Sequence, residues 1–496
     1  MVGVTGSIGT TVGYALYLHG SGLRESLAGE IGEWLGMDVR IGRVLPRSLD
    51  SRGFADVFVS LPNDPRAVFH CARAVWSEEQ TDSHLRRILD LREGFVVVGA
   101  DEWSPSHYRR VLEGGIGHDY SAVGLEEVRL HDIDLRFVHP VFGFTAGVST
   151  GIVFFDRDGR GRATLDCVRL NGVVADKPVN IRALFQPGSP VQIDEVRLQV
   201  PVLPLATFGL DKLLGGPITH GRFGGRITYL QADGGETIDI EGSLADADLA
   251  ELTRKRHPRP IRGFLHAELR SARLVQRSLV ELAMRGRITE LSLGDLIPAL
   301  APGGSDPTVT LEIERLRWSD GRIDLLKAVG QGQGIDLGAL STLLGQGTIT
   351  GTVQFTIKSL MVVDDELQSA EIEIRVVPPD GAAGTIDRTL LAGVARRLLG
   401  YDPSAVLPEQ IEYAELGMRV VLRDGRVRIH GTHGPGRRTL MTLKLFGRQM
   451  PLIVEPSEWF DVSDYTRALS SRLATVDPDA LRAWWEGLQR EPPAKP

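Results

Sequence analysis

Cysteine is scarce in this chain: only Cys71 and Cys167 occur in 496 residues. Two thiols exclude a disulfide framework and a cysteine-rich zinc site, and they allow one bridge or none. Positive charge is also in short supply, because 56 lysines and arginines stand against 64 aspartates and glutamates, a net charge of −8. Since a phosphate backbone requires a basic surface, this balance argues against nucleic acid as the main partner.

Motifs for catalysis and cofactor binding are lacking as well. The segment 147–151 matches Gly-x-Ser-x-Gly, but that motif needs a helix after the nucleophile and a strand pattern follows here. An esterase acting through Ser149 is therefore only the third hypothesis. His430 and His433 lie close together without an adjacent carboxylate or cysteine to complete a metal site. We expect a protein that is not an enzyme, with no catalytic residue, no metal and no cofactor.

Alternation of apolar and polar residues is the dominant pattern. Val309, Leu311 and Ile313, for example, alternate with Thr310 and Glu312. A period of two predicts strands with one dry and one wet face, which is typical of antiparallel sheets. Asp-Gly pairs between such runs favour tight hairpins; they occur at Asp158-Gly159, Asp233-Gly234, Asp320-Gly321 and Asp424-Gly425. The expected fold is mainly β (α+β), a meander of roughly twenty strands.

Helices are few and short in comparison with the strands. Helical patterns cover residues 23–35, 246–255, 293–300, 335–344, 385–399, 463–473 and 479–489. A sheet of this size is expected to curl into a long trough, and so few helices leave part of its apolar face uncovered. That face predicts a groove for an apolar ligand, although the same residues could form an ordinary core. The residues predicted to line the groove are Val309, Leu311, Ile313, Val353, Phe355, Ile357, Val427 and Ile429.

The N-terminal segment has no charge. No Asp, Glu, Lys or Arg precedes Arg24, and residues 2–18 combine apolar side chains with Gly, Thr and Ser. A single membrane-spanning anchor over residues 1–22 is one interpretation, and a loose, buried segment is the other. The chain contains no second candidate span.

Six segments of the chain form a recognisable arrangement. Near the N-terminus, an amphipathic helix precedes paired strands: LRESLAGEIGEWLG (23–36), DVRIGRV (38–44) and FADVFVSLPNDPRAVFHCARAVW (54–76). Further on, glycines lead into alternating strands: GGPITHGRFGGRITYL (215–230), GQGTITGTVQFTIKSL (345–360) and AELGMRVVLRDGRVRIHGTHG (414–434). Together these segments resemble the AsmA-like family, which begins with a membrane helix, an amphipathic helix and paired strands and continues with glycine-strand repeats. The resemblance implies a membrane-anchored periplasmic protein whose β-groove shields phospholipid acyl chains during lipid transport and outer-membrane biogenesis.

The resemblance also suggests a division of the chain into five regions. These are an anchor (1–22), an N-terminal β-rich region (23–215), central groove repeats (216–380), a C-terminal groove region with a capping helix (381–475), and an amphipathic helix with a disordered tail (476–496). Arg254, Lys255 and Arg256 belong to the densest basic run, where each cation near an anionic membrane surface contributes about 1 kcal/mol. These three are candidates for contact with lipid head groups, and a solvated loop is the alternative.

The leading hypothesis is a non-enzymatic lipid carrier of a diderm bacterium, anchored in the inner membrane with most of the chain in the periplasm. Its expected partners are phospholipid, the inner membrane, and outer-membrane or periplasmic proteins. The alternative is a scaffold or assembly factor for outer-membrane proteins that acts through free sheet edges.

Overall fold

The computed structural model describes most of the chain between residues 21 and 461. The described residues are 21–35, 37–48, 51–60, 67–80, 85–98, 125–138, 143–156, 160–186, 192–209, 216–232, 235–254, 260–276, 278–296, 306–344, 347–379, 382–399, 404, 407–445 and 447–461. Within them the fold is mainly β with a few short helices, which confirms the fold class predicted from the alternation.

Long strands account for most of the described residues. They are β1 Asp38–Ser48, β2 Ser51–Ser60, β3 Ala67–Gln80, β4 Leu85–Val98, β5 Leu125–Val138, β6 Gly143–Phe155, β7 Gly161–Leu170, β8 Val173–Gln186, β9 Gln192–Pro204, β10 Arg222–Ala232, β11 Gly235–Asp248, β12 Phe264–Val275, β13 Ser278–Ser292, β14 Thr308–Ser319, β15 Arg322–Asp336, β16 Thr352–Val363, β17 Glu366–Val377, β18 Gly384–Asp387, β19 Gln410–Arg423, β20 Arg426–Gly431, β21 Thr439–Leu445, β22 Arg448–Val454 and β23 Phe460–Asp461. The helices are α1 Ser21–Leu35, α2 Leu249–Thr253, α3 Leu293–Leu296, α4 Leu337–Leu344 and α5 Arg388–Leu399, and short 3-10 turns lie at Leu205–Phe208 and Pro435–Arg437.

The strands belong to one sheet in which most neighbours along the chain are also neighbours in space. Among the pairs that the structure describes, all are antiparallel except β4–β5. The meander is interrupted at β19, which pairs with β17 and β18 along one side and with β20 and β21 along the other. This agrees with the antiparallel meander that the Asp-Gly turns predict.

The chain forms two compact units. The first comprises Met1–Leu213, Arg222–Ile240 and Val275–Arg277, and the second comprises Leu214–Gly221, Glu241–Leu274 and Ser278–Pro496. In the first unit, residues of ten successive strands lie side by side in one apolar row: Val44, Phe54, Ala74, Leu91, Leu130, Gly151, Leu165, Ile181, Leu198 and Ile227.

Helix α1 packs on the first strands of that unit. Leu27 and Ile31 lie one turn apart and contact the buried cluster that contains Ile41, Val44 and Phe54. The amphipathic helix predicted for residues 23–35 is thus confirmed, with its apolar side against the sheet. No helix among the described residues is long and apolar enough to cross a membrane. The expected anchor at residues 1–22 falls almost entirely outside the described residues.

The two cysteines are buried and unpaired. Cys71 on β3 and Cys167 on β7 lie in one row across the sheet, with Gly94, Ile133 and Val148 between them. Strands are ~4.8 Å apart, so the two thiols are roughly 19 Å apart, far beyond the reach of a disulfide. Of the two alternatives left open by the sequence, a bridge within one chain is therefore excluded.

A repeat of 44 residues organises the strands from β11 to β16. Leu249, Leu293 and Leu337 follow one another at intervals of 44, and each is the first residue of a helix. The amide N of each donates to a backbone carbonyl 14 residues later, at Gly263, Pro307 and Gly351, with N···O distances of 2.9, 2.8 and 3.0 Å. Each repeat therefore consists of a helical turn, a connecting loop and a long hairpin.

The hairpin turns repeat at the same interval. Gln276, Asp320 and Asp364 have positive φ of 49°, 45° and 50°, and they are again 44 residues apart. Asp320-Gly321 and Asp424-Gly425 form the tight turns that the sequence predicts, since all four residues have positive φ. The turns expected at Asp158-Gly159 and Asp233-Gly234 lie outside the described residues.

Capping residues explain where the helices begin. Carboxylate oxygens of Asp248, Asp336 and Asp387 accept from amides two residues later, at distances of 2.7 to 2.8 Å. Because a cap stands outside the helix it stabilises, the helices start at residues 249, 337 and 388. The helices predicted for 246–255, 335–344 and 385–399 therefore begin two to three residues later than the sequence pattern suggested. The helix predicted for 293–300 begins at the predicted residue, and the one predicted for 23–35 begins two residues earlier. The predicted helices after residue 461 lie outside the described part.

Candidate functional site: the apolar face of the second unit

The residues predicted to line a groove come from strands β14, β16 and β20 of the second unit. Side chains alternate between the two faces of a strand, so Val309, Leu311 and Ile313 share one face of β14 while Thr310 and Glu312 lie on the other. Antiparallel register then decides which residues of neighbouring strands stand beside them. The sequence can predict the alternation but not this register.

The register aligns the apolar residues into continuous rows. The central row crosses seven strands through Ile288, Leu311, Gly330, Ile357, Ile372, Val420 and Ile429. A second row contains Leu291, Val309, Gly332, Phe355, Ile374, Met418 and Gly431. A third contains Gly286, Ile313, Ala328, Leu360, Ala370, Leu422 and Val427, and a fourth Ile335, Val353, Val376 and Leu416.

These four rows define the surface that we call the apolar face. All eight residues singled out in the sequence lie on it, and none of its members is ionisable. Strand β15 contributes only small residues in its centre, and neighbouring side chains lean over them. An added Cβ on Gly332 would lie 2.3 Å from the Phe355 ring and 2.8 Å from Val309.

The helices that the structure describes cover only one end of the apolar face. Leu293 and Leu296 of α3 pack with Val309, which is 4% exposed, and residues of α5 pack on the cluster that contains Val376. Ile313 and Val353 are also buried, at 7% and 8% exposure. The other five predicted residues, Leu311, Phe355, Ile357, Val427 and Ile429, are only half-buried. Every member of the central row is half-buried, so among the described residues this row presents apolar surface to solvent.

Charges are concentrated on the opposite face of the same strands. Nζ of Lys358 lies 2.6 Å from Oε2 of Glu373, and Nη1 of Arg419 lies 3.7 Å from Oε1 of Glu371. The hydrogen bond from Lys358 lowers the pKa of the Glu373 carboxyl below its usual value. The sheet of this unit thus has one wet, ion-paired face and one apolar face, as the alternation predicts.

Another cluster has the residue types of a metal site. Ligand atoms of His220, Asp248 and Glu251 lie within 4.8 Å of one another, the one such cluster among the described residues. Both Glu251 oxygens are already hydrogen-bonded, accepting from the amides of Thr219 and His220 at 3.0 and 3.2 Å and from the Thr219 hydroxyl at 2.5 Å. His220 Nδ1 lies 3.1 Å from Oε1 of Glu251.

The 44-residue repeat supplies the physical explanation of this cluster. One repeat later Asp295 takes the place of Glu251, and its Oδ2 accepts from the amide and Nε of Arg262 at 3.0 and 2.9 Å. Each acid ties the preceding loop to its short helix. Burial alone would raise the pKa of Glu251, but the hydrogen bonds from Thr219 and His220 outweigh it and lower the pKa to about 2. We call these two arrangements the loop clasps.

The remaining sequence motifs do not assemble a catalytic site in the described residues. Ser149 lies within strand β6, and its hydroxyl donates to the Asp166 carbonyl at 3.0 Å. No helix follows it, so the nucleophile geometry is absent at this position. His430 Nδ1 lies 3.4 Å from Glu455, a carboxylate 25 positions away that the local sequence could not indicate, and Arg438 Nε donates to the same carboxylate at 3.0 Å.

The predicted membrane-surface residues are described only in part. Arg254 is exposed at the end of α2, and its Nη1 donates to the Pro217 carbonyl at 3.5 Å. Lys255 and Arg256 lie outside the described residues.

Comparison with known proteins yields no match to a family model, a curated protein or a solved structure.

Proposed function

We propose that the protein is a non-enzymatic carrier whose apolar face shields the acyl chains of phospholipids from water. The observation that supports this most directly is that the described residues cover that face incompletely. Five of the eight predicted groove residues stay half-buried in a face without a single ionisable side chain. A soluble sheet leaves such a surface open at a cost in free energy unless an apolar partner covers it.

The physical mechanism is desolvation. Each methylene that leaves water for an apolar surface contributes about 0.8 kcal/mol, so an acyl chain gains several kcal/mol by lying on these rows. Because the rows have no polar side chain that would fix a head group, an acyl chain can take up many equivalent positions. This favours movement along the sheet over tight binding at one position.

The test compares two neighbouring residues on opposite faces of strand β16. Ile357→Asp places a charge on the apolar face, and Thr356→Asp places the same charge on the wet face. We expect binding of a fluorescent phospholipid analogue to weaken more than tenfold in the first variant only, since a charge against an acyl chain loses its hydration. Circular dichroism and thermal unfolding establish that both variants fold.

A second measurement covers the case in which Ile357→Asp does not fold. An environment-sensitive maleimide dye is attached to the new cysteine of the Ile357→Cys or the Thr356→Cys variant. The native thiols of Cys71 and Cys167 react slowly with the dye, because they are buried and burial raises the pKa of each to about 12. Addition of phospholipid should shift the emission to the blue at position 357 and leave it unchanged at position 356. Equal responses at both positions, together with detergent-free protein that contains no lipid, would contradict the proposal.

The placement in a bacterial envelope rests on the resemblance to the AsmA-like family. We propose an inner-membrane anchor with the bulk of the chain in the periplasm, and fractionation of cells that express the full-length protein tests it. Recovery of the chain in the cytoplasmic fraction would overturn this placement. A scaffold for outer-membrane proteins is favoured instead if a protein partner co-purifies and Ile357→Asp leaves activity in cells intact.

A further inference from the structure

An arginine-rich cavity lies on strands β12, β13 and β14 of the second unit, and its lining also includes Met284 and Leu316. Four arginines line it: Arg270 on β12, Arg285 on β13, and Arg315 and Arg317 on β14. The cavity measures about 240 Å³, less than the 300–1,000 Å³ of pockets for drug-sized ligands and suited to a small ion. Such a concentration of positive charge is unexpected in a chain whose net charge is −8.

A β-bulge brings the guanidinium groups together. The pairing of β13 with β14 shifts after Met284 and Leu316, so that Arg285 stands opposite both Glu314 and Arg315. A bulge of this kind turns two consecutive residues toward the same side of the sheet. Arg315 and Arg317 consequently lie together on the wet face, whereas strict alternation from Ile313 would have placed both of them on the apolar face.

The positive charge of the cavity is only partly compensated, because two acids stand against four arginines. Arg285 donates to Glu268 with 2.6 Å between Nε and Oε2, and Glu314 is the one acid in the lining. Within the described part of the chain, Arg270, Arg315 and Arg317 make no ion pair. Elsewhere on the wet face, cations such as Lys358 are paired with carboxylates.

A like-charge pair reinforces this imbalance. Arg315 stands directly opposite Lys327 of β15, and like charges in this position destabilise a sheet. An anion between them would remove the repulsion. The register thus places Arg315 beside Lys327, whereas an acidic residue opposite Arg315 would have stabilised the sheet.

We propose that this cavity binds an oxyanion of the phosphate class. Guanidinium groups form paired, charge-assisted hydrogen bonds to phosphate oxygens, and three of them can do so here without breaking an existing ion pair. The source is either a free phosphate or the phosphate of a lipid head group. Arg315 and Arg317 lie on the face opposite the apolar rows, and the proposal does not depend on lipid carriage.

The test uses the full-length protein with two arginines replaced in each variant. Arg315→Gln with Arg317→Gln removes two donors from the cavity, and Arg375→Gln with Arg423→Gln removes the same charge from exposed positions elsewhere on the wet face. Calorimetry with inorganic phosphate at low salt should show at least tenfold weaker binding for the first variant and unchanged binding for the second.

Flotation with vesicles distinguishes the two sources. Vesicles of equal parts phosphatidylglycerol and phosphatidylcholine are compared with vesicles of phosphatidylcholine alone. Binding to the anionic vesicles that depends on Arg315 and Arg317 identifies a lipid head group, and binding of inorganic phosphate without vesicle binding identifies a free anion. Absence of both, or equal losses in the two double variants, would overturn the proposal.

Discussion

Single acidic residues hold the connecting loops against the short helices. In the first loop clasp, Glu251 is 7% exposed and accepts four hydrogen bonds from Thr219 and His220. Hydrogen-bond donors to both oxygens favour the ionised form of a carboxylate. The clasp residues are 31 and 32 positions apart in the chain, so their pairing is a property of the folded molecule.

This carboxylate makes the stability of the second unit dependent on pH. The folded pKa of Glu251 is about 2 and its ordinary value is 4.5, so the folded form binds its proton less readily. The stabilisation is complete above about pH 4.5 and is lost as the pH falls toward 2. Relative to the wild type, Glu251→Gln should therefore lower the melting temperature at pH 7, and the difference should shrink below pH 4.5. Glu312→Gln, at an exposed position of β14, serves as the control; an equal pH profile in both variants would contradict this role.

The caps at the helix starts have a separate effect. Asp336 Oδ1 accepts from the amides of Gly338 and Ala339 at 2.8 and 3.2 Å. Asp336→Ala should cost about 1 kcal/mol of local stability, because two helix-start amides lose their acceptor. Hydrogen exchange at Gly338 and Ala339 should accelerate by roughly fivefold, while Asp336→Asn should retain most of the protection. Unchanged exchange in the alanine variant would contradict the cap.

At the scale of elements, the alternation in the sequence was sufficient to predict the strands and their two faces. Strand β14 shows this well, since every second residue from Val309 to Ile313 is apolar and lies on the same side. The bulges were not predicted. The position of Arg285 opposite both Glu314 and Arg315 depends on the register between two strands, which the alternation does not contain. The predicted start of the helix at Leu337 was wrong for a similar reason. The Asp336 side chain accepts a hydrogen bond from the Gly338 amide and caps the helix, so Asp336 is not part of it.

Close packing between strands leads to a prediction at this scale. A Cβ on Gly286 of β13 would lie 2.2 Å from the backbone oxygen of His266, whereas a Cβ on Gly393 of α5 meets nothing within 4 Å. Gly286→Ala should lower stability by more than 1 kcal/mol, because the backbone of β12 or β13 must shift. Gly393→Ala should raise it by up to about 1 kcal/mol, since alanine favours helix. Chemical denaturation measures both, and shifts of the same sign would contradict the packing.

At the scale of the whole molecule, the 44-residue repeat was not recognised from the sequence. Its sequence signal is a few identical residues at intervals of 44: the leucine at each helix start, a second leucine three positions later, and a glycine seven positions before the first leucine. The repeat became apparent through recurring backbone hydrogen bonds, such as Leu293 N to the Pro307 carbonyl. In repeat proteins each unit is stabilised mainly by its neighbours.

The repeat predicts which deletions the fold tolerates. Removal of Leu293–Asp336 takes out one complete repeat and joins equivalent positions, so the chain should remain folded with the circular dichroism of a β-protein. Removal of half that length, residues 293–314, changes the direction in which the chain enters the next strand and should leave it unfolded or aggregated. Size-exclusion chromatography and circular dichroism compare the two. Equal behaviour of both deletions would contradict the repeat.

The sequence by itself determined the class of fold and, outside the bulges, the membership of each face. A period of two commits alternate side chains to opposite sides of a strand whatever the neighbours are. Only the tertiary structure decided how much of the apolar face stays open, as the buried Val309 and the half-buried Ile357 show. It also decided where charges meet, at Glu251 and at Arg315. The physical reason is that burial and pairing depend on register and on contacts between residues tens of positions apart, which local patterns do not encode.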